Sequence, residues 1–141
     1  MALAGLCYDF GSSAPALAGY TDSSFADCPD TSRSTLAYVF TYGAAILSWY
    51  SKLNSYVTTC TNHSEYNALA VGAREAEWLL QLFSQLDPAK TYAPMPIYVD
   101  NSGVVSMVFN PADHQSNKHV KLSCHYTREL TQNKVIVPDI F

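Results

Sequence analysis

The sequence predicts a mixed α/β domain, a sheet with helices packed on it, and three observations carry that prediction. Short aromatic and β-branched runs fill the first third of the chain. One long apolar pattern at helical spacing follows, and strand-like and helix-like segments then alternate. The order read along the chain is β-β-β-α-β-α-α. With 141 residues, 48% hydrophobic and 14% charged, the chain has the length of one domain and enough apolar surface for a core.

Residues 1–16 close on Gly11-Ser12-Ser13-Ala14-Pro15 and read as a lead-in to a domain over 17–141. Leu17 to Asp22 reads as a short strand ending on a carboxylate, and the polar stretch Asp27 to Ser34 as a turn region. Leu36–Tyr42 and Ala45–Ser51, punctuated by Gly43, predict a hairpin, and Tyr56 to Cys60 continues in extended character. The clearest helix is expected from Asn62, where Asn62 and Glu65 match an N-cap box. Leu69, Ala73, Ala76, Leu80 and Phe83 then mark one face, and Asp87-Pro88 ends the helix. Pro96 to Asp100 is a compact strand, again closing on an aspartate. Val104 to Phe109 suits a short helix stopped at Asn110-Pro111, and Val120 to Gln132 a last helix before the tail Val135 to Phe141.

Composition excludes several classes. A net charge of −4 argues against gripping nucleic acid by bulk electrostatics, while leaving room for a local patch assisted by metal ions. No apolar run approaches the length of a membrane span, and Met1 to Leu6 lacks the basic start of a signal peptide. Cys7, Cys28, Cys60 and Cys124 show no CxxC pairing, which fits reduced thiols in a cytoplasmic or nuclear protein. The histidines match no zinc-ligand spacing. His63 and Ser64, adjacent on a helix, point apart and make no hydrolase pair.

The carboxylates are the chemistry-bearing feature. Asp22 and Asp100 each close a strand, and Glu65 stands in the first turn of the main helix. Three acids at one end of a sheet repel one another unless cations neutralise them, and such hard oxygen ligands favour Mg²⁺ or Mn²⁺. Two such ions about 3.5–4 Å apart activate a water and stabilise the leaving oxygen of a phosphodiester. Turn and capping roles account for the same residues equally simply. A second cluster, Lys118, Lys121, Arg128 and Lys134 with His114, His119 and His125, reads either as a phosphate-contacting face or as a solvated helix surface.

Longer motifs add to this. Tyr20-Thr21-Asp22-Ser23-Ser24-Phe25-Ala26 with Pro29-Asp30 and Ser32-Arg33-Ser34-Thr35 resembles the start of the ribonuclease H domain of copia-type retrotransposon polyproteins. The resemblance continues in order through Ile46-Leu47-Ser48-Trp49, Ser64-Glu65-Tyr66-Asn67-Ala68-Leu69, Glu77-Trp78-Leu79 and Pro96-Ile97-Tyr98-Val99-Asp100-Asn101. It ends with Asn110-Pro111, Lys118-His119 and His125-Tyr126-Thr127-Arg128-Glu129-Leu130 and covers roughly residues 6 to 136. It implies a ribonuclease H-like fold with three antiparallel strands and a parallel fourth. It also implies Asp22, Glu65 and Asp100 as Mg²⁺ or Mn²⁺ ligands, and hydrolysis of the RNA strand of an RNA–DNA hybrid. Lys118, His119, Lys121 and Arg128 become candidate nucleic-acid contacts.

Two departures from the family stand out. His63 occupies a place where the family carries an additional glutamate. Asp139-Ile140-Phe141 resembles the opening of the family's last helix, which makes Asp139 the candidate fourth acid and implies that the fifth strand and last helix are missing or shortened. A missing fifth strand would leave the edge of the fourth open to self-association. The shortened end and acidic charge also prompt an alternative function, a catalytically inactive, domesticated domain that binds nucleic acid or a protein partner.

Overall fold

The computed structural model describes residues 16–43, 45–110 and 118–141. Cys7, His114 and nearly all of the expected lead-in lie outside the described residues, as do the side chains of Lys118, His119 and Lys121.

The chain builds β1 (Leu17–Ser24), β2 (Thr35–Tyr42), β3 (Ala45–Leu53), α1 (Thr61–Leu86), β4 (Met95–Val99), α2 (Ser102–Phe109), α3 (Lys118–Gln132) and β5 (Ile136–Ile140). They form one five-stranded sheet in the order β3-β2-β1-β4-β5. The β2–β3 hairpin turns at Gly43, whose φ of 64° suits a residue without a side chain. β1 pairs antiparallel with β2, β2 antiparallel with β3, and β4 lies parallel to both β1 and β5. The expected mixed α/β class is the observed one.

Alternation decides which side of the sheet is covered. In β1 the residues Leu17, Thr21 and Ser23 are buried, while Tyr20, Asp22 and Ser24 face out. α1 packs over β1, β2 and β4, and α3 packs on α1. Phe40, Tyr66, Leu69, Leu79, Met95, Ile97, Val99, Val104 and Ile136 make up the fully buried centre between these layers. The face predicted for α1 is in place: Leu69, Ala73, Ala76 and Leu80 are buried and Phe83 packs at the margin. Among the described residues no helix is long and apolar enough to cross a membrane.

Four local expectations are corrected. The residues 56–60 form no strand: β3 ends at Leu53, and after Asn54 N bonds Ser34 O, in line with the β2–β3 ladder, the chain leaves the sheet. α1 begins one residue early, with an extended Cys60 at the N-cap (φ −157°, ψ 160°) that makes no side-chain cap bond. Asn62 is therefore inside the first turn and Glu65 is no capping partner; it is buried, 5% exposed. The tail does not open a helix. Its Ile136–Ile140 segment is a short fifth strand that pairs with β4 from Met95↔Ile136 to Val99↔Ile140, which covers the β4 edge expected to be open. Pro138 is tolerated there because β5 is an edge strand.

Candidate functional site

Parallel pairing brings the two aspartates together. β1 and β4 run side by side up to the pair Thr21↔Val99, so Asp22, still in β1 and paired with Ala37 of β2, and Asp100, the residue just past β4, stand together at the end of that ladder. The start of α1 lies over that end and supplies Glu65. One oxygen from each of Asp22, Glu65 and Asp100 falls within 4.8 Å of the others, with Glu65 buried and both aspartates exposed. The three acids singled out by the sequence thus meet in one cluster.

The electrostatics are unfavourable in the absence of a counter-charge. Burial pushes the Glu65 carboxyl up from 4.5 to about 7, the nearby polar groups of Ser23 oppose the rise, and the charges of Asp100 and Asp22 add to it. Among the described residues, neither Glu65 Oε2 nor the hydroxyl of Ser23, both buried, completes a hydrogen bond. A buried acceptor without a donor costs stability unless something satisfies it. A hard divalent cation between the three carboxylates would do so and would neutralise their repulsion. The donor set, all oxygen and anionic, fits Mg²⁺ or Mn²⁺.

Asp139, the expected fourth acid, is elsewhere. It stands opposite Tyr98 in the β4–β5 register, and its Oδ1 accepts from the N–H of Ile140 at 2.8 Å. Arg128 spends its donors inside the fold: Nε and Nη2 both reach Met107 O, at 3.2 and 2.8 Å, at the end of α2. Lys118, His119 and Lys121 fall on the opening turns of α3.

One contact beside the acids escaped the sequence reading. Asn101, directly after Asp100, caps α2 by accepting from Gly103 N at 2.9 Å, and its Nδ2 donates to Asn62 Oδ1 at 2.9 Å. An asparagine ahead of a short apolar helix is a capping signal that could have been read; the contact with Asn62, 39 residues away, had no local signal. A cavity of about 390 Å³ also went unread. Lys52, Arg74, Tyr50, Tyr56 and Asn67 line it, with no carboxylate in its wall among the described residues.

No protein-family model matches the chain. Sequence relatives are clear. The Retrovirus-related Pol polyprotein from transposon TNT 1-94 of Nicotiana tabacum is 32% identical over 131 residues, 92% of this chain. The corresponding polyprotein from transposon RE2 of Arabidopsis thaliana is 31% identical over 83% of it. The chain is a retrotransposon Pol homologue. It spans only a small part of these relatives, 10% and 8% of their length. Solved structures agree on the fold of this Pol homologue. RNase H1 from the archaeon Halobacterium salinarum superposes with a TM-score of 0.60 at 15% identity, over 89% of this chain and 83% of that one. LC11-RNase H1, solved in complex with an RNA/DNA hybrid, superposes with a TM-score of 0.60 at 13% identity, over 89% and 84%. The Pol homologue therefore has the ribonuclease H fold.

Proposed function

We propose that this Pol homologue is the ribonuclease H domain of a copia-type element, an endonuclease that hydrolyses the RNA strand of an RNA–DNA hybrid with Mg²⁺ or Mn²⁺. The observation that carries the reading is the cluster itself: three carboxylates within 4.8 Å, one of them buried with an oxygen that no donor among the described residues satisfies. The relatives named above and the hybrid bound to LC11-RNase H1 support the substrate class.

Asp22, Glu65 and Asp100 would hold the cations, which when bound activate the attacking water and stabilise the leaving oxygen. The chain's own contribution is placement. Asp22 and Asp100 are fixed by adjacent parallel strands, and Glu65 by a helix whose buried residues begin at Ser64. Water attacks phosphorus, the bond to the 3′-oxygen breaks, and the products carry a 5′-phosphate and a 3′-hydroxyl. The hybrid is read by its shape and 2′-hydroxyls rather than by base sequence. The basic wall of the cavity at Lys52 and Arg74 supplies local positive charge on an acidic protein.

The test is cleavage of an end-labelled RNA–DNA hybrid in Mg²⁺ and then Mn²⁺, with Asp100→Asn alongside. Cleavage of the RNA strand by the wild type and none by the variant is expected. A folded wild type that cuts in neither metal would overturn the nuclease reading. One observation favours a second reading, an inactive binding domain: Asp139 lies outside the acid cluster. Salt-sensitive hybrid binding without cleavage is its signature.

A further inference from the structure

Asp100 and Glu65 belong to different elements, yet a cation shared between them requires a constant separation. Asn101 sits at the joint. Both ends of its carboxamide are engaged: Oδ1 accepts from Gly103 N at 2.9 Å, and Nδ2 donates to Asn62 Oδ1 at 2.9 Å. Its backbone carbonyl also accepts from Val104 N at 3.0 Å, so the residue is tied into the start of α2. Asn62 lies three residues before Glu65 in α1, about one helical turn away along the same side. The two amides thus join the residue after one acid to the turn that carries another.

Two features mark this joint as built for that purpose. A carboxamide bridges without charge, whereas any acid here would add to the repulsion among three carboxylates. Gly103 also leaves the room: a β-carbon there would stand 3.0 Å from Asn101 Oδ1 and 3.1 Å from Asn62 Nδ2, tighter than side chains ordinarily approach.

We infer that Asn101 and Asn62 are positioning residues, whose mutual hydrogen bond holds Asp100 against Glu65 and thereby sets the divalent-cation affinity of the cluster. The inference rests on the proposed cation site and deepens it. Groups that orient ligands from one step further out typically change metal affinity by about ten- to a hundredfold when removed.

The experiment is calorimetric titration of the whole chain with Mn²⁺, at a temperature where unfolding curves show every variant folded. Asn62→Ala removes the acceptor. Asn101→Ser keeps a cap for α2 but does not reach Asn62. Each is expected to weaken Mn²⁺ binding about tenfold, and the double variant to be no weaker than either single one, because both remove the same bond. Wild-type affinity in the single variants, or losses that multiply in the double, would overturn the inference. Asp100→Asn, titrated in parallel, separates the two readings. If it loses Mn²⁺ while Asn62→Ala and Asn101→Ser do not, the positioning role falls and the cation site stands. If the wild type itself takes up no Mn²⁺, the cation site falls and the positioning role with it.

Discussion

Gly72 of α1 and Thr21 of β1 are in such close apposition that a β-carbon on the glycine would stand 2.6 Å from Thr21 Cγ2. Thr21 is buried and directly precedes Asp22, so this contact sets how near the helix lies to the strand that delivers an acid. An alanine at this position ordinarily favours a helix by about 1 kcal/mol. Here the extra carbon meets a branched, buried side chain, and overpacking of that kind costs about 1–3 kcal/mol. Gly72→Ala is expected to lower the melting temperature in thermal unfolding. A rise would show that the helix–strand spacing gives way freely.

Glu65 makes the cation-free protein sensitive to pH. Its carboxyl titrates near 4.5 when unfolded and near 7 when folded, burial being the main cause. The folded state therefore prefers the proton. The corresponding stability is complete below about pH 4.5 and is lost as pH rises through 7, by about 3 kcal/mol at most. Urea unfolding in chelator from pH 5 to pH 8 should show a declining trend that Glu65→Gln flattens. Mn²⁺ added at pH 8 should restore stability in the wild type.

Asp139 and Asp100 should separate cleanly. Asp100 is in the cluster, and Asp139 is held in the β5 register opposite Tyr98. Asp100→Asn is expected to abolish Mn²⁺ uptake, and Asp139→Asn to change the dissociation constant less than about threefold, the scale of an exposed, salt-screened charge outside the ligand set. An equal loss in both, read by titration, would place Asp139 among the ligands.

Arg128 is expected to matter for stability. Its two donors converge on Met107 O, an unpaired carbonyl near the end of α2. Arg128→Ala should cost about 1–3 kcal/mol in chemical denaturation, the usual worth of hydrogen bonds from a charged donor. Arg128→Lys should recover only part of this, since an ammonium does not reproduce the fork.

The chain itself determined much of this architecture. Alternation in Leu17 to Ser24, aromatic hairpin strands around Gly43 and the four-three spacing from Leu69 to Phe83 are local signals. They correspond to a sheet face and a helix face that hold whatever the surroundings. Asp100 was legible as a strand end, Asp22, expected to close its strand, lies inside β1, which runs on to Ser24, and the longer motifs named the family. Three things were decided only by the tertiary structure. Glu65 is a buried member of the acid cluster and not a capping partner, because α1 starts at Thr61 and its residues buried against the sheet begin at Ser64. The tail is a strand, because the edge of β4 offers a ladder that outweighs the weak local preference of a segment containing Pro138. Asn62 meets Asn101 because parallel β1 and β4 bring distant segments to one sheet end, and a contact across 39 residues has no periodicity to be read. Local patterns report which way a side chain faces; only the packed sheet reports what it faces.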